Sequence, residues 1–263
     1  MDFGLRGKRA LVMAASKGLG RAAEEALSRE GALVAISSSN GDRCAKTAEE
    51  ITQDTGHRVI GLAADMFNPD AMDELVTRSV IAIGEIDILV INHVGPALGS
   101  AESVDTAALD DHYRLMVASP LRLIKAVIPG MRQRRWGRVV SIAGGSAVHA
   151  LPNKIMDNIF RPALINYTKA LANEVSAEGV TANVILPGTF VTDRVNDSTA
   201  SNAALMGISI EEAMRQRIQG IPAGRFGELK EFGAVVAFTC SEAASYVSGS
   251  MIRVDGGQTK TIL

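Results

Sequence analysis

Short runs of β-branched and apolar residues recur along the chain, each followed by a longer stretch in which apolar positions return every three or four residues. The short runs Ala10–Ala14, Leu33–Ser37, Val59–Ala63, Ile86–Ile91, Arg138–Ile142, Thr181–Leu186 and Met251–Val254 read as strands buried on both faces. Amphipathic stretches over about Gly20–Glu30, Arg43–Thr55, Pro69–Ile83, Ala107–Arg134 and Ile155–Ala177 read as helices. Regular strand–helix alternation predicts right-handed crossovers and one doubly wound α/β domain over 1–263, its mostly parallel sheet of about seven strands covered on both faces. The rhythm breaks between Pro187 and about Phe226, a long polar excursion with a helical piece near Ile210–Gln219. A long excursion after a strand's carboxyl end predicts a substrate lid over 187–226.

Composition removes several classes of function. With 263 residues the chain buries a substantial core, and a net charge of −2 gives no electrostatic reason to bind nucleic acid or an anionic membrane. Cys44 and Cys240 stand far apart without metal-ligand spacing, so two reduced thiols are expected, with no metal site. No apolar run approaches membrane-spanning length, and the first strand is too short and wrongly flanked for a signal peptide. These features predict a cytoplasmic protein acting on a small molecule.

The first strand leads into Met13-Ala14-Ala15-Ser16-Lys17-Gly18-Leu19-Gly20 and then a helix. Glycines at such a turn let the backbone approach a pyrophosphate, which the helix N-terminus stabilises, as in Rossmann-type domains. At this turn the chain resembles the short-chain dehydrogenase/reductase family, whose motif is T-G-x-x-x-G-x-G. Met13 replaces the threonine and Ala14 the first glycine, a change tolerable where φ is negative and costly where it is positive. The resemblance spans essentially the whole chain. It implies contacts to cofactor from Asp65 and Met66 after the third strand, from Asn92 in a segment that departs at His93 and Val94, and from Pro187, Gly188 and Thr192. Val254-Asp255-Gly256-Gly257 matches a C-terminal signature of the family. The second strand ends in Ser37-Ser38-Ser39-Asn40 without the acid that would hold an NAD ribose, while Lys17 and Arg43 supply positive charge, so NADP is expected over NAD. The resemblance also implies a homo-oligomer, a tetramer or dimer, built through the long helices 107–134 and 155–177.

Carried over position by position, the family's catalytic set is absent. Its serine falls at Gly144, its tyrosine at Asp157, its lysine at Arg161 and its asparagine at Met116. Asp157 and Arg161 stand four apart on a helix, a spacing that permits an ion pair. Such a pair leaves Arg161 available to hold a cofactor ribose and keeps Asp157 from donating a proton. Ser146 either reaches a substrate oxygen or caps its own turn. His149 and Lys154 either donate protons or sit on the surface, and His93 either faces the crevice or is a half-buried imidazole. Asp157 itself serves as a base or as a structural partner of Arg161, and Tyr113 reads as packing. Three functions stay open: an NADP-dependent oxidoreductase with a rearranged proton donor, a non-redox lyase, isomerase or cyclase on the same scaffold, and a catalytically silent subunit.

Overall fold

The computed structural model of the chain describes residues 2–96 and 98–261. Seven strands form one parallel sheet: β1 (Arg9–Val12), β2 (Leu33–Ser38), β3 (Val59–Ala63), β4 (Ile88–Ile91), β5 (Gly137–Ile142), β6 (Val180–Pro187) and β7 (Met251–Val254). Their order is β3-β2-β1-β4-β5-β6-β7, with Leu11 opposite Ala35 on one side and Leu89 on the other. The order reverses between β1 and β4, which opens a crevice beyond the carboxyl ends of those strands.

Alternate residues of each strand feed different cores, as the two-residue period of a strand requires. Leu11, Ala35, Leu89, Val139 and Ala182 face helices α3 (Ala71–Ile83), α5 (Ser119–Gln133) and α6 (Ile155–Val175). Ala10, Val12, Ile36, Val90 and Ile185 face α1 (Gly18–Arg29), α2 (Gly41–Thr55) and α9 (Leu229–Cys240). The sheet is therefore buried on both sides, as its continuous apolar runs predict.

Three departures from the sequence reading have physical causes. The stretch 107–134 is not one regular helix. It begins in a 3₁₀ turn at Thr106–Ala108, runs as α4 (Leu109–Tyr113), passes through a π-helical turn at Arg114–Ala118, and continues as α5 with Pro120 at its start. The excursion 187–226 holds two helices, α7 (Asp193–Met206) and α8 (Ile210–Gln219). α7 escapes a periodicity search because its apolar residues, Val195 and Ala200 apart, are bunched in its last four positions rather than spaced along one face. It is set instead by its ends, the Thr192 side chain accepting from the Val195 amide and Gly207 closing it at φ +65°. α9 escapes because its apolar run Phe232–Cys240, broken only by Gly233 and Thr239, lacks a polar face: it packs against α1, where Gly233 brings the two backbones together.

Candidate active site

A cleft of about 1070 Å³ lies at the carboxyl end of the sheet, bounded by the turn after β1, the ends of β4 and β5, the start of α6, and the segment after β6. At its cofactor end the chain leaves β1 in an unusual conformation. Ala14 has φ +47°, the left-handed region, so its methyl falls on the costly branch, about 1–2 kcal/mol above glycine's freedom. The Asn92 side-chain amide fixes this strained residue by donating to the Ala14 carbonyl at 3.2 Å. Gly20 is obligatory beside it, because a Cβ there would lie 2.4 Å from the same carbonyl oxygen.

Gly18 faces the other way. A Cβ at Gly18 would meet nothing nearer than the Thr192 methyl at 3.7 Å, so its bare backbone opens into the cleft. α1 starts here with no side-chain cap and no acid in its first turn. Its leading amides are left to an anion, favoured further by the helix dipole. The arrangement suits a dinucleotide pyrophosphate. Lys17 is not idle: its ammonium pairs with Asp193 of α7 at 3.2 Å, an exposed contact of small energy.

Of the positions the sequence assigns to cofactor, Ala14, Lys17, Gly18, Leu19, Asn92, Arg161, Pro187, Gly188 and Thr192 line this cleft. Ser16, Gly20, Ser38, Ser39, Asp65 and Met66 stand outside it. The Ser16 carbonyl accepts from Thr47, Ser38 donates to the Asn40 carbonyl, Asp65 accepts from the Phe67 amide, and the Met66 carbonyl accepts from Ser119. Ser39 is exposed beyond β2.

At the chemical end, Asp157 lies in the first turn of α6 and Arg161 one turn later. Asp157 is almost wholly buried and forms an ion pair with Arg161, whose guanidinium also donates to the Ala143 carbonyl at the end of β5. Arg194 of α7 approaches the other Asp157 oxygen at 4.0 Å and donates to the Pro96 carbonyl at 3.3 Å. Gly144 leaves open room beside this pair: its Cβ would come no closer than 3.8 Å to the Arg161 guanidinium. Met116 is buried at the π-helical turn.

The loop between β5 and α6 is pinned by Asn158, whose side chain bonds both the amide and the carbonyl of Leu151. It brings Ser146, His149 and Lys154 to the cleft. Ser146 is buried in a short 3₁₀ turn, and His149 has a buried Nδ1 without a partner among the described residues. Burial lowers the Lys154 pKa; Asp157 opposes that shift, while Arg194, Arg161 and Arg217 add to it. His93 is buried too. Its Nδ1 lies 2.8 Å from the Val94 carbonyl, so Nδ1 carries the proton and Nε2 the lone pair. Burial first, and then the Arg161 charge, lower its pKa to about 3, leaving a neutral imidazole at neutral pH. Tyr113 is half-exposed on α4 and does not line the cleft.

Two cleft residues were invisible to sequence reasoning, Arg194 and Arg217. Both belong to the polar excursion, and only the fold of α7 and α8 turns them inward. Arg217 donates to the Val195 carbonyl and to the hydroxyls of Ser198 and Thr199, which ties α8 to α7.

A family model described as enoyl-(acyl carrier protein) reductase matches residues 13–259. The chain belongs to the short-chain dehydrogenase/reductase family. Among the relatives of this short-chain dehydrogenase/reductase is D-beta-hydroxybutyrate dehydrogenase of Cupriavidus necator, 31% identical over 96% of this chain and 98% of that protein. Another is 3-oxoacyl-[acyl-carrier-protein] reductase of Escherichia coli, 33% identical over 98% of each chain. Among solved structures, L-sorbose reductase from Gluconobacter frateurii, complexed with NADPH and L-sorbose, superposes with a TM-score of 0.94 at 29% identity over the whole of both chains. No described helix is long and apolar enough to cross a membrane.

Proposed function

We propose that this short-chain dehydrogenase/reductase is an NADPH-dependent carbonyl reductase with a rearranged catalytic centre. The observation that carries the reading is the persistence of the cofactor cradle beside a rebuilt centre. Gly18, the uncapped start of α1 and the adjoining Thr192 line one end of an open cleft, and the buried Asp157–Arg161 pair lines its inner end. A bound reduced nicotinamide would supply the hydride. The start of α1 would hold its pyrophosphate, and Arg161, immobilised by Asp157 and the Ala143 carbonyl, would hold its ribose. The absence of an acid at the end of β2 and the basic Lys17 and Arg43 favour the 2′-phosphate form. The complex of the Gluconobacter frateurii reductase with NADPH supports the same choice.

The proton must come from elsewhere than the family's tyrosine. Asp157 is committed to Arg161, and the only proton on His93 is committed to Val94. Ser146, directly or through a water, is the group we assign to pass it to the developing alkoxide. Ser146→Ala is then expected to lower kcat by about tenfold or more with little change in KM. An equal kcat would remove Ser146 from the reaction. We assign α7 and α8 to a lid within 187–226, the chain to a homo-oligomer joined through α5 and α6, and its place to the cytoplasm. A monomeric mass in light scattering would refute the oligomer.

One observation favours a second reading: a buried ion pair stands where a proton donor is needed. It suits a non-redox enzyme or a silent subunit equally well. Titration with NADPH and NADH, followed by ligand fluorescence, and then single-turnover oxidation with a panel of ketones, separates them. Selective NADPH binding with turnover sustains the proposal, and binding without turnover on any ketone transfers the chain to the second reading.

A further inference from the structure

The end of the cleft away from the glycine turn carries an unusual charge balance. Lys154, Arg161, Arg194 and Arg217 line it, and Asp157 is the one carboxylate among them. Two of these cations are spent. Arg161 is fixed by Asp157 and the Ala143 carbonyl, and Arg217 by three oxygens of α7. The other two are not. Arg194 is 4.0 Å from Asp157 and makes one long bond to the Pro96 carbonyl, and Lys154 forms no ion pair among the described residues. Like charges gathered in a partly dehydrated cleft repel one another unless a counter-charge arrives.

The Arg194 side chain is half-exposed, and its guanidinium lies against the backbone at Gly95. A Cβ on Gly95 would fall 1.0 Å from its Nη1, so the absence of a side chain at Gly95 creates the space it occupies. The strand that delivers His93 and the lid helix that delivers Arg194 thus meet at this point. Lys154 comes from a third element, the residue just before α6, so the two unspent cations line the same cleft from separate parts of the fold, and the Arg194 charge acts on Lys154.

We propose that Lys154 and Arg194 form an oxoanion subsite, and that the substrate carries a carboxylate or phosphate group bound there beside the carbonyl to be reduced. The inference rests on the reading of this cleft as a reductase site in its chemistry, though not in its binding. A planar guanidinium and an ammonium are complementary to such a group, the first through paired N–H donors and the second as a point charge. Small keto acids, their hydroxy-acid counterparts and phosphorylated ketones satisfy the requirement, whereas neutral ketones leave the two cations uncompensated.

The test uses the full chain in a low-salt buffer and isothermal titration with malonate, inorganic phosphate and the neutral diamide malonamide, each against wild type, Lys154→Met, Arg194→Met and Gly95→Ala. NADPH is titrated in parallel against wild type and the first two variants. Malonate or phosphate should bind wild type. Loss of either cation should weaken that affinity by about tenfold or more, since one charge-assisted hydrogen bond is worth about that factor. Gly95→Ala, which displaces the guanidinium without removing its charge, should act in the same direction. NADPH affinity in Lys154→Met and Arg194→Met should stay within about threefold, because the site is separate from the glycine turn. Preference for malonate assigns a carboxylate substrate and preference for phosphate a phosphorylated one. Unchanged oxoanion affinity in both charge variants, or equal binding of malonamide, overturns the proposal. Failure of wild type to bind NADPH, with oxoanion binding intact and sensitive to the variants, overturns the reductase reading and leaves the subsite standing.

Discussion

Glu24 lies in α1, fully buried, and neither of its carboxylate oxygens has a hydrogen-bond partner among the described residues. Arg21, one turn earlier, spends its guanidinium on Glu25 and Glu50. Burial first, then the Glu25 charge, raise the Glu24 pKa from 4.5 to about 9, so the folded protein holds this proton at neutral pH. The sign follows directly. The unfolded chain releases the proton above pH 4.5 while the folded chain keeps it until about 9, so stability is greatest in acid and falls as pH rises between those values. The slope approaches about 1.36 kcal/mol per pH unit, which amounts to about 3 kcal/mol between roughly pH 5 and pH 7.5. Glu24→Gln keeps the shape and removes the titration. Urea unfolding of both proteins at the two pH values measures the difference directly, because titrations elsewhere in the chain are common to both and cancel. Relative to the variant, wild type should lose about 3 kcal/mol between the two conditions. Parallel changes in the two proteins would show that Glu24 is either solvated or paired in the folded state, and would refute the argument.

Further expectations concern the turn and the ion pair. Ala14→Gly should stabilise the protein by about 0.5–1 kcal/mol in urea unfolding, the relief of a left-handed alanine less the extra freedom glycine brings to the unfolded chain; a loss of stability would place Ala14 in another conformation. Asp157→Ala alone should cost about 3 kcal/mol, since it strands Arg161, whereas the apolar double replacement Asp157→Leu with Arg161→Met should recover most of that loss. Strict additivity of the two single changes would show the pair to be uncoupled. Arg161→Ala should weaken NADPH binding by about tenfold in a fluorescence titration, and unchanged affinity would remove Arg161 from the cofactor site.

The sheet was legible because its central strands are buried on both faces, and burial of that kind writes itself as uninterrupted apolar runs such as Leu89–Ile91 and Val139–Val140, while the edge strand β7 is only partly covered. Register was legible too, since a glycine turn, an asparagine after β4 and a Pro-Gly after β6 occur in fixed relation to those runs. Helical spacing permitted the pairing of Asp157 with Arg161, and the folded chain makes it. What spacing cannot express is a contact between distant segments. Arg194 meets Asp157 only because α7 folds back over the cleft, and α7 is specified by a threonine cap and a closing glycine rather than by an apolar stripe. The sign of φ at Ala14 was equally hidden: a small residue fits either branch, and the choice is made by the Asn92 amide holding its carbonyl. The neutral state of His93 depends on burial beneath elements that converge only in the folded chain.

Asp193 and Arg194 are neighbours in the chain and opposite in charge, and each reaches across to the contrary charge on a different wall: Asp193 to Lys17 beside the glycine turn, Arg194 toward Asp157 at the chemical end. One dipeptide therefore spans both halves of the cleft. An anion drawn to Lys17 competes with Asp193, and an anion drawn to Arg194 competes with Asp157. The first turn of α7 is thereby moored to both walls, by an exposed ion pair at the glycine turn and by a 4.0 Å approach at the chemical end.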